Sequence, residues 1–375
     1  MNNIIFDGNY LFYKTLFIFR AEGGKKVLEP KRQQEDFIRK VATDMAYAIR
    51  QFGAPQRIIF TIDGRSWRKD VEIEENAGYK SNRSKDSNID WDSFFKCMNE
   101  FADILKDQGI IVSRIDRAEG DDLMYLWTQL LLSQGQNSIV ITGDKDLLQV
   151  VRNSSKGGYA VVYNPNSKSR RIYGHDGLIE WLKKDDTVDL FDTSSFIKTG
   201  KDLINHALKN IPLTEMDPLN FLKIKVLKGD DGDGVPSIFH WKSKNGKTTN
   251  RITDKRAQAI IEHINENLGS DDWNVFKYPE IAGAVCKGIK AVTKQDSDPE
   301  VIKDKLSRNI TLMVLHKNTI PGDILSGFQA HVNETINNTL PGRKYDVSVL
   351  LEGTRFLKPP DSFQTGLFGA LDKKK

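Results

Sequence analysis

Cysteine is almost missing from this chain of 375 residues: Cys97 and Cys286 are too few and too far apart for a disulfide framework or a zinc site. That scarcity matches a reduced, cytoplasmic setting. Histidine is also sparse, at six residues set apart from the motifs below, so no Ser–His or Cys–His pair can be read as a nucleophile and its base. No run of eighteen apolar residues occurs, which argues against a membrane span. The opening MNNIIFDGNYLFYK is apolar, but Asp7 and Lys14 interrupt it and no basic stretch precedes it, so it does not read as a secretory signal. Hydrophobic residues still make up 39% of the chain, enough for a sizeable core in one large or two ordinary domains.

Three short apolar runs end in an acid. NIIF (3–6) leads into Asp7, RIIFTI (57–62) into Asp63, and SIVIT (138–142) into Gly143-Asp144-Lys145-Asp146. IIVSRI (110–115) reads as a fourth strand. Between them lie helical patterns that stop at Gly53 and Gly109, then DDLMYLWTQLLLSQG. Strands alternating with helices predict an α/β fold with a central, mainly parallel sheet and helices on both faces. Ligands of such sheets collect beyond the carboxyl ends of the strands, where these acids fall. After about residue 175 strand-like runs thin out and helical patterns dominate, which predicts an α/β domain over 1–175, a helical domain over 176–345 and a tail over 346–375. The polar, basic stretch 240–251 reads as a mobile loop.

The loop KGDDGDGVP crowds Asp230, Asp231 and Asp233 together. A surface turn is one reading; an EF-hand fails because Val235 stands where an acid is needed. Acids also open the helix after 118, as Glu119, Asp121 and Asp122, where pairing with the helix dipole is the ordinary explanation. Acids at five separate segment ends point instead to one cluster of Asp7, Asp63, Glu119, Asp121, Asp122, Asp144, Asp146, Asp230 and Asp233. With those nine set aside, 42 of the 51 acids remain against 55 Lys and Arg, a surplus of 13 positive charges on a chain whose net charge is only +4. A cationic body around an anionic pit suits a phosphodiester substrate. Oxygen ligands alone select a hard cation, Mg²⁺ or in its stead Mn²⁺, and two such ions would activate a water and stabilise the leaving oxygen.

Residues 64–85 add Arg65, Arg68, Lys69, Lys80, Arg83 and Lys85 as phosphate partners, with Trp67 and Tyr79 suited to stack on bases. The competing reading is a solvated charged face, since Asp70, Glu72, Glu74 and Glu75 lie among them.

In order, Asp7, Asp63-Gly64…Trp67-Arg68, Tyr79-Lys80-Ser81-Asn82-Arg83, Glu119-Gly120-Asp121-Asp122, Gly143-Asp144-Lys145-Asp146 and Gly229-Asp230-Asp231-Gly232-Asp233 resemble the motifs of the 5′-nuclease (flap endonuclease) superfamily, and among its members the RNase H enzymes of T-even-type bacteriophages. The resemblance implies a 5′→3′ exonuclease and flap endonuclease that removes primers from RNA–DNA and DNA duplexes in phage DNA replication, in the host cytoplasm. It implies a first Mg²⁺ among Asp7, Asp63, Glu119, Asp121 and Asp122, and a second served by Asp144, Asp146, Asp230 and Asp233. Asp121 and Asp144 would be central to catalysis. Lys80 and Arg83 would engage the scissile phosphate at the base of a helical arch over 64–95, with Tyr79 stacking near the terminal base. A helix–loop–helix DNA clamp over 219–268 would grip the unbroken strand through Gly232, Gly234, Lys255 and Arg256. Branched or nicked DNA is the implied partner of a monomer, with a single-stranded DNA-binding protein beside it. Relative to the phage enzymes, residues 176–216 look like extra sequence.

In the tail, Gln364, Leu367 and Phe368 resemble the core of bacterial sliding-clamp-binding peptides, against the alternative that these side chains fold back on the body. Three rival functions leave separate marks on the sequence. A haloacid-dehalogenase-type phosphatase needs a second Asp at Asn9. A PIN-like ribonuclease would prefer single-stranded RNA, and a non-catalytic DNA-binding factor would have a broken acid set.

Overall fold

The computed structural model describes residues 2–52, 55–74, 77–178, 204, 207–243, 245–271 and 273–338. Most of the segment 176–216, and Gln364, Leu367 and Phe368 of the tail, lie outside the described residues.

Alternation along the strands sets the layers. In β1 (Asn2–Asp7), Ile4 and Phe6 face one side and Ile5 the other; β2 (Arg57–Thr61) repeats this with Ile58 and Phe60 against Ile59. These strands pair in parallel with each other, β1 also with β6 (Asn137–Ile141) and β2 with β5 (Ile111–Ser113). The sheet runs on through β8 (Tyr159–Asn164), antiparallel β9 (Arg171–His175) and β10 (Leu213–Met216), with β7 (Arg152–Asn153) along β8, in the order β10-β9-β8-β6-β1-β2-β5. The mainly parallel sheet matches the expectation, but its edge strand β10 comes from beyond residue 175.

On the Ile4 and Phe6 face pack α1 (Gly8–Leu16), α2 (Lys31–Phe52) and α3 (Trp91–Asp107). Phe12 of α1 meets Phe37, Phe60, Phe94 and Phe101 with ring centroids 5.7–6.3 Å apart. Such pairs add about 0.5–1.5 kcal/mol each beyond burial, and they hold α1 in place directly after Asp7. The opposite face is covered by α4 (Gly120–Ser133) and by α9 (Gly322–Asn338), through Trp127, Phe328 and Val332. Four helices form a separate core: α5 (Pro218–Lys228), α6 (Asp254–Leu268), α7 (Ala282–Thr293) and α8 (Pro299–Met313).

Two expectations fail. Residues 64–90 form no helical arch among the described residues. They hold one 3-10 turn over Trp67–Asp70, the small hairpin β3 (Glu72–Glu74) with β4 (Ala77–Gly78), and turns up to α3. Their apolar residues lack helical spacing, and Trp67, Ile73 and Tyr79 are drawn inward instead. The stretch 240–251 is also not an open loop: β11 (His240–Lys242) pairs antiparallel with β12 (Thr249–Arg251). Among the described residues no helix is long and apolar enough to cross a membrane.

Candidate active site

The carboxyl ends of β1, β2 and β6, the amino end of α4 and the loop after α5 open onto one cavity of about 980 Å³. Eight of the nine singled-out acids line it: Asp7, Asp63, Glu119, Asp121, Asp144, Asp146, Asp230 and Asp233. The exception is Asp122, which is fully buried. It accepts from the Glu119 backbone N–H at 3.1 Å in the capping box that starts α4, and from the Trp67 indole N–H at 3.0 Å. Asp122 therefore acts on the helix end and does not reach the cavity.

Arg68 explains where its charge goes. The guanidinium is buried and donates to Asp122 Oδ1 at 2.7 Å and Oδ2 at 3.0 Å, to Glu119 Oε2 at 3.0 Å and to the Leu312 carbonyl at 2.9 Å. It is a strut beneath the acids and not a DNA contact. Trp67 and Tyr79, at 5% exposure each, are likewise unavailable for stacking on a base; the Tyr79 hydroxyl donates to Asp233 Oδ2 at 2.8 Å. The corrections at Trp67 and Tyr79 share one cause: an aromatic ring with a polar edge satisfies a buried carboxylate as well as it stacks on a base.

The remaining acids are held by short links. Asp7 accepts from the Tyr10 N–H at 2.9 Å and the Thr142 hydroxyl at 2.7 Å. Asp63 accepts from the Gly120 N–H at 2.6 Å and from the Asn9 amide at 2.7 Å, while its own N–H donates back to Asn9 at 3.0 Å. Asn9 and Thr142 were not singled out from sequence, although each lies two residues from a cavity acid.

Lys80 donates to Glu119 Oε1 at 2.8 Å and stands 3.8 Å from Asp233, which also pairs with Arg83. Lys80 has a positive φ of 58°, and its N–H bonds the Asp233 carbonyl at 2.9 Å, so the 78–83 turn is stitched to the acidic loop. Within that loop Asp230 Oδ1 accepts from the Gly232 and Asp233 N–H groups, Gly234 turns with φ 71°, and Asp231, also on the cavity wall, pairs with Arg251. Lys225 was missed by sequence reasoning. Buried in α5, its ammonium sits between Asp146 and Asp230, 3.2 Å from the latter. In FLKIKVLK it looks like any lysine of a charged helix face.

The electrostatics divide the site. Burial, with Asp63 and Asp144 nearby, pushes the Asp7 carboxyl up to about 7. Burial beside Asp144 and Asp7 drives Asp121 well above the carboxylate range, and burial raises Asp63 and Asp146 too. Burial acts the same way on Glu119 and Asp230 but is outweighed, by Arg68 and Lys80 in one case and by Lys225 in the other, so both are lowered. No cation among the described residues offsets the burial of Asp7, and Lys80 offsets that of Asp121 only in part. Among the described residues no three acids or histidines converge on one point as a ready-made ligand set. An oxygen-only donor set of this spread fits a hard cation that keeps part of its water shell. At Asp146 and Asp230 the Lys225 ammonium already occupies the interval.

Of the outer basic residues, Arg65, Lys69, Lys85 and Lys255 are exposed. Arg65 reaches Asp70 at 3.4 Å, Lys85 lies over the Trp91 and Phe95 rings, and Arg256 over Trp241.

Residues 2–182 match the family model described as the 5′-3′ exonuclease N-terminal, resolvase-like domain. Among solved structures the chain is similar to the bacteriophage T5 flap endonuclease in a pseudo-enzyme–product complex with DNA and metal ions, at 15% identity and a TM-score of 0.49 over 95% of this chain and 98% of that one. It is similar to T5 5′-exonuclease with bound zinc, at 15% identity and TM-score 0.48 over 95% and 98%. The catalytic core of Rad2 in complex with DNA follows at 13% identity and TM-score 0.40 over 96% and 92%. No curated protein sequence matches.

Proposed function

Since this chain belongs to the 5′-nuclease superfamily through residues 2–182, we propose that it is a Mg²⁺-dependent, structure-specific 5′→3′ exonuclease and flap endonuclease acting on DNA and RNA–DNA duplexes, with primer removal in phage replication as its task. The observation that carries this reading is the meeting of eight acids from five segments in one cavity, with Lys80 and Arg83 on its wall. Asp7, Asp63, Glu119 and Asp121 would hold one Mg²⁺, and Asp144, Asp146, Asp230 and Asp233 a second, the pair supplying Lewis acidity to the scissile phosphate. Asn9, Gly120 and Thr142 keep the carboxylates oriented before substrate arrives. Lys80 and Arg83, paired with Glu119 and Asp233, would turn to the phosphate oxygens and offset charge developing there. The backbone at Gly232 and Gly234, with Lys255 and Arg256, would grip the unbroken strand. Lys225 would have to yield its place between Asp146 and Asp230 as the second ion enters.

The test is cleavage with Mg²⁺ of matched substrates: a 5′ flap, a nicked duplex, an RNA–DNA hybrid and single-stranded RNA. Cuts near the junction of the flap and at the 5′ end of the hybrid are expected. Cleavage confined to single-stranded RNA would instead favour a PIN-like ribonuclease.

A further inference from the structure

The hairpin of β11 and β12 sits inside the stretch that otherwise reads as helix–loop–helix, between α5 and α6. Its sequence, FHWKSKNGKTTNRIT over 239–253, contains three lysines and one arginine and no acid. The structure gives it a fixed base. Phe239 and Trp241 are stacked with centroids 5.8 Å apart, the Arg256 guanidinium of α6 lies 5.0 Å over the Trp241 ring, and buried Ile238 and Ile252 anchor both legs in the helical core. The tip is tied as well: the Ser243 N–H bonds the Thr248 carbonyl at 2.8 Å, the Gly246 N–H bonds the Ser243 carbonyl at 2.8 Å, and Lys242 bonds the Thr249 hydroxyl at 2.9 Å. Lys242 and Lys247 are exposed. The hairpin leaves from the rim of the acidic cavity, where Arg251, Ile252 and Thr253 form part of the wall.

A tied, acid-free hairpin is a poor hydrophobic docking surface and a good match to a polyanion. From His240 to Ser243, where the chain turns, it reaches about 10 Å at about 3.4 Å per residue. Duplex DNA presents one negative charge per about 1.7 Å of its axis, so a projection of this length meets several phosphates whichever way the duplex leaves the cavity. Resting on the proposed nuclease function, we propose that the hairpin is a wing that lies along the phosphate backbone of the substrate duplex outside the cleavage site, with Lys242 and Lys247 as its phosphate contacts. It reads charge and not sequence, because both lysines are point charges on flexible stems. Trp241 is a positioning residue that fixes the wing to α6.

The experiment measures binding of a flap-bearing DNA duplex in EDTA at several salt concentrations, for the wild type and for Lys242→Gln/Lys247→Gln. Two lost phosphate contacts lower the slope of log affinity against log salt by about 1.8, so that the wild-type advantage shrinks about 12-fold between 50 and 200 mM. Coincident slopes, with a wild type that binds and cleaves flap DNA, overturn the wing and leave the nuclease reading standing. A slope change seen only with single-stranded DNA or RNA overturns the assignment to duplex. A wild type that neither binds nor cleaves flap DNA overturns both.

Discussion

Replacing Arg68 with Met removes the cation paired with Asp122 and one of the two, with Lys80, that hold Glu119. The side chain is buried, as are Glu119 and Asp122, to which it donates at 3.0 Å and, in a two-pronged contact, at 2.7 and 3.0 Å. Removing one member of such a buried pair costs about 3–5 kcal/mol, because the partner charge is left without compensation. Set against a usual total of about 5–15 kcal/mol, this is a large share. Urea denaturation of Arg68→Met at neutral pH is the assay. Arg68→Lys should recover only part of the loss, since one ammonium cannot reproduce the fork. The double variant Arg68→Met/Asp122→Leu should lose less than the two single variants summed, because it removes both charges together. The pH dependence follows in sign. Glu119 is lowered in the folded protein, so its contribution is present above its unfolded pKa of about 4.3 and is lost as pH falls through the folded value. The gap between wild type and Arg68→Met should therefore narrow in acid. A cost below about 1 kcal/mol, or full recovery by Arg68→Lys, would refute the reasoning, since neither is compatible with a desolvated bidentate pair.

Other outcomes follow from the same site. Lys225→Met removes the ammonium between Asp146 and Asp230, so the metal-free protein should lose about 3 kcal/mol, and added Mg²⁺ should raise the melting temperature of the variant more than that of the wild type. Asp7, raised to about 7, binds its proton more tightly folded than unfolded; metal-free stability should fall as pH rises from about 4 to about 7, and the stabilisation by Mg²⁺ should grow over that window, as thermal melts with and without EDTA will register. Deleting 362–375 should reduce cleavage stimulated by a sliding clamp while sparing basal cleavage; unchanged stimulation would remove clamp binding from the account.

Much of the sheet was legible because Ile4, Ile5 and Phe6, or Ile58, Ile59 and Phe60, are apolar on both faces and each run stops at an acid. The acids were legible for the same reason: a strand that ends in Asp at the same level as its neighbours announces a shared edge. Direction was harder to read. Nothing in GRSWRKD distinguishes an Arg68 that meets phosphate from one that meets Asp122, since guanidinium binds both alike; only burial decides. Lys225 was hidden for a similar reason. Leu213–Met216 has no apolar run of its own and gains its strand from pairing with β9. The hairpin at 240–251 did carry a signal, Asn245-Gly246, a dipeptide suited to tight hairpin turns, but its flanks are too polar to look like strands.

The most direct test of the central claim is cleavage of a 5′-labelled flap by the wild type and by Asp144→Asn, each with Mg²⁺ and with EDTA. The account predicts cutting near the flap junction by the wild type with Mg²⁺, its loss in EDTA, and a deep loss in Asp144→Asn under both conditions. Equal, EDTA-resistant cleavage by the two proteins would contradict it.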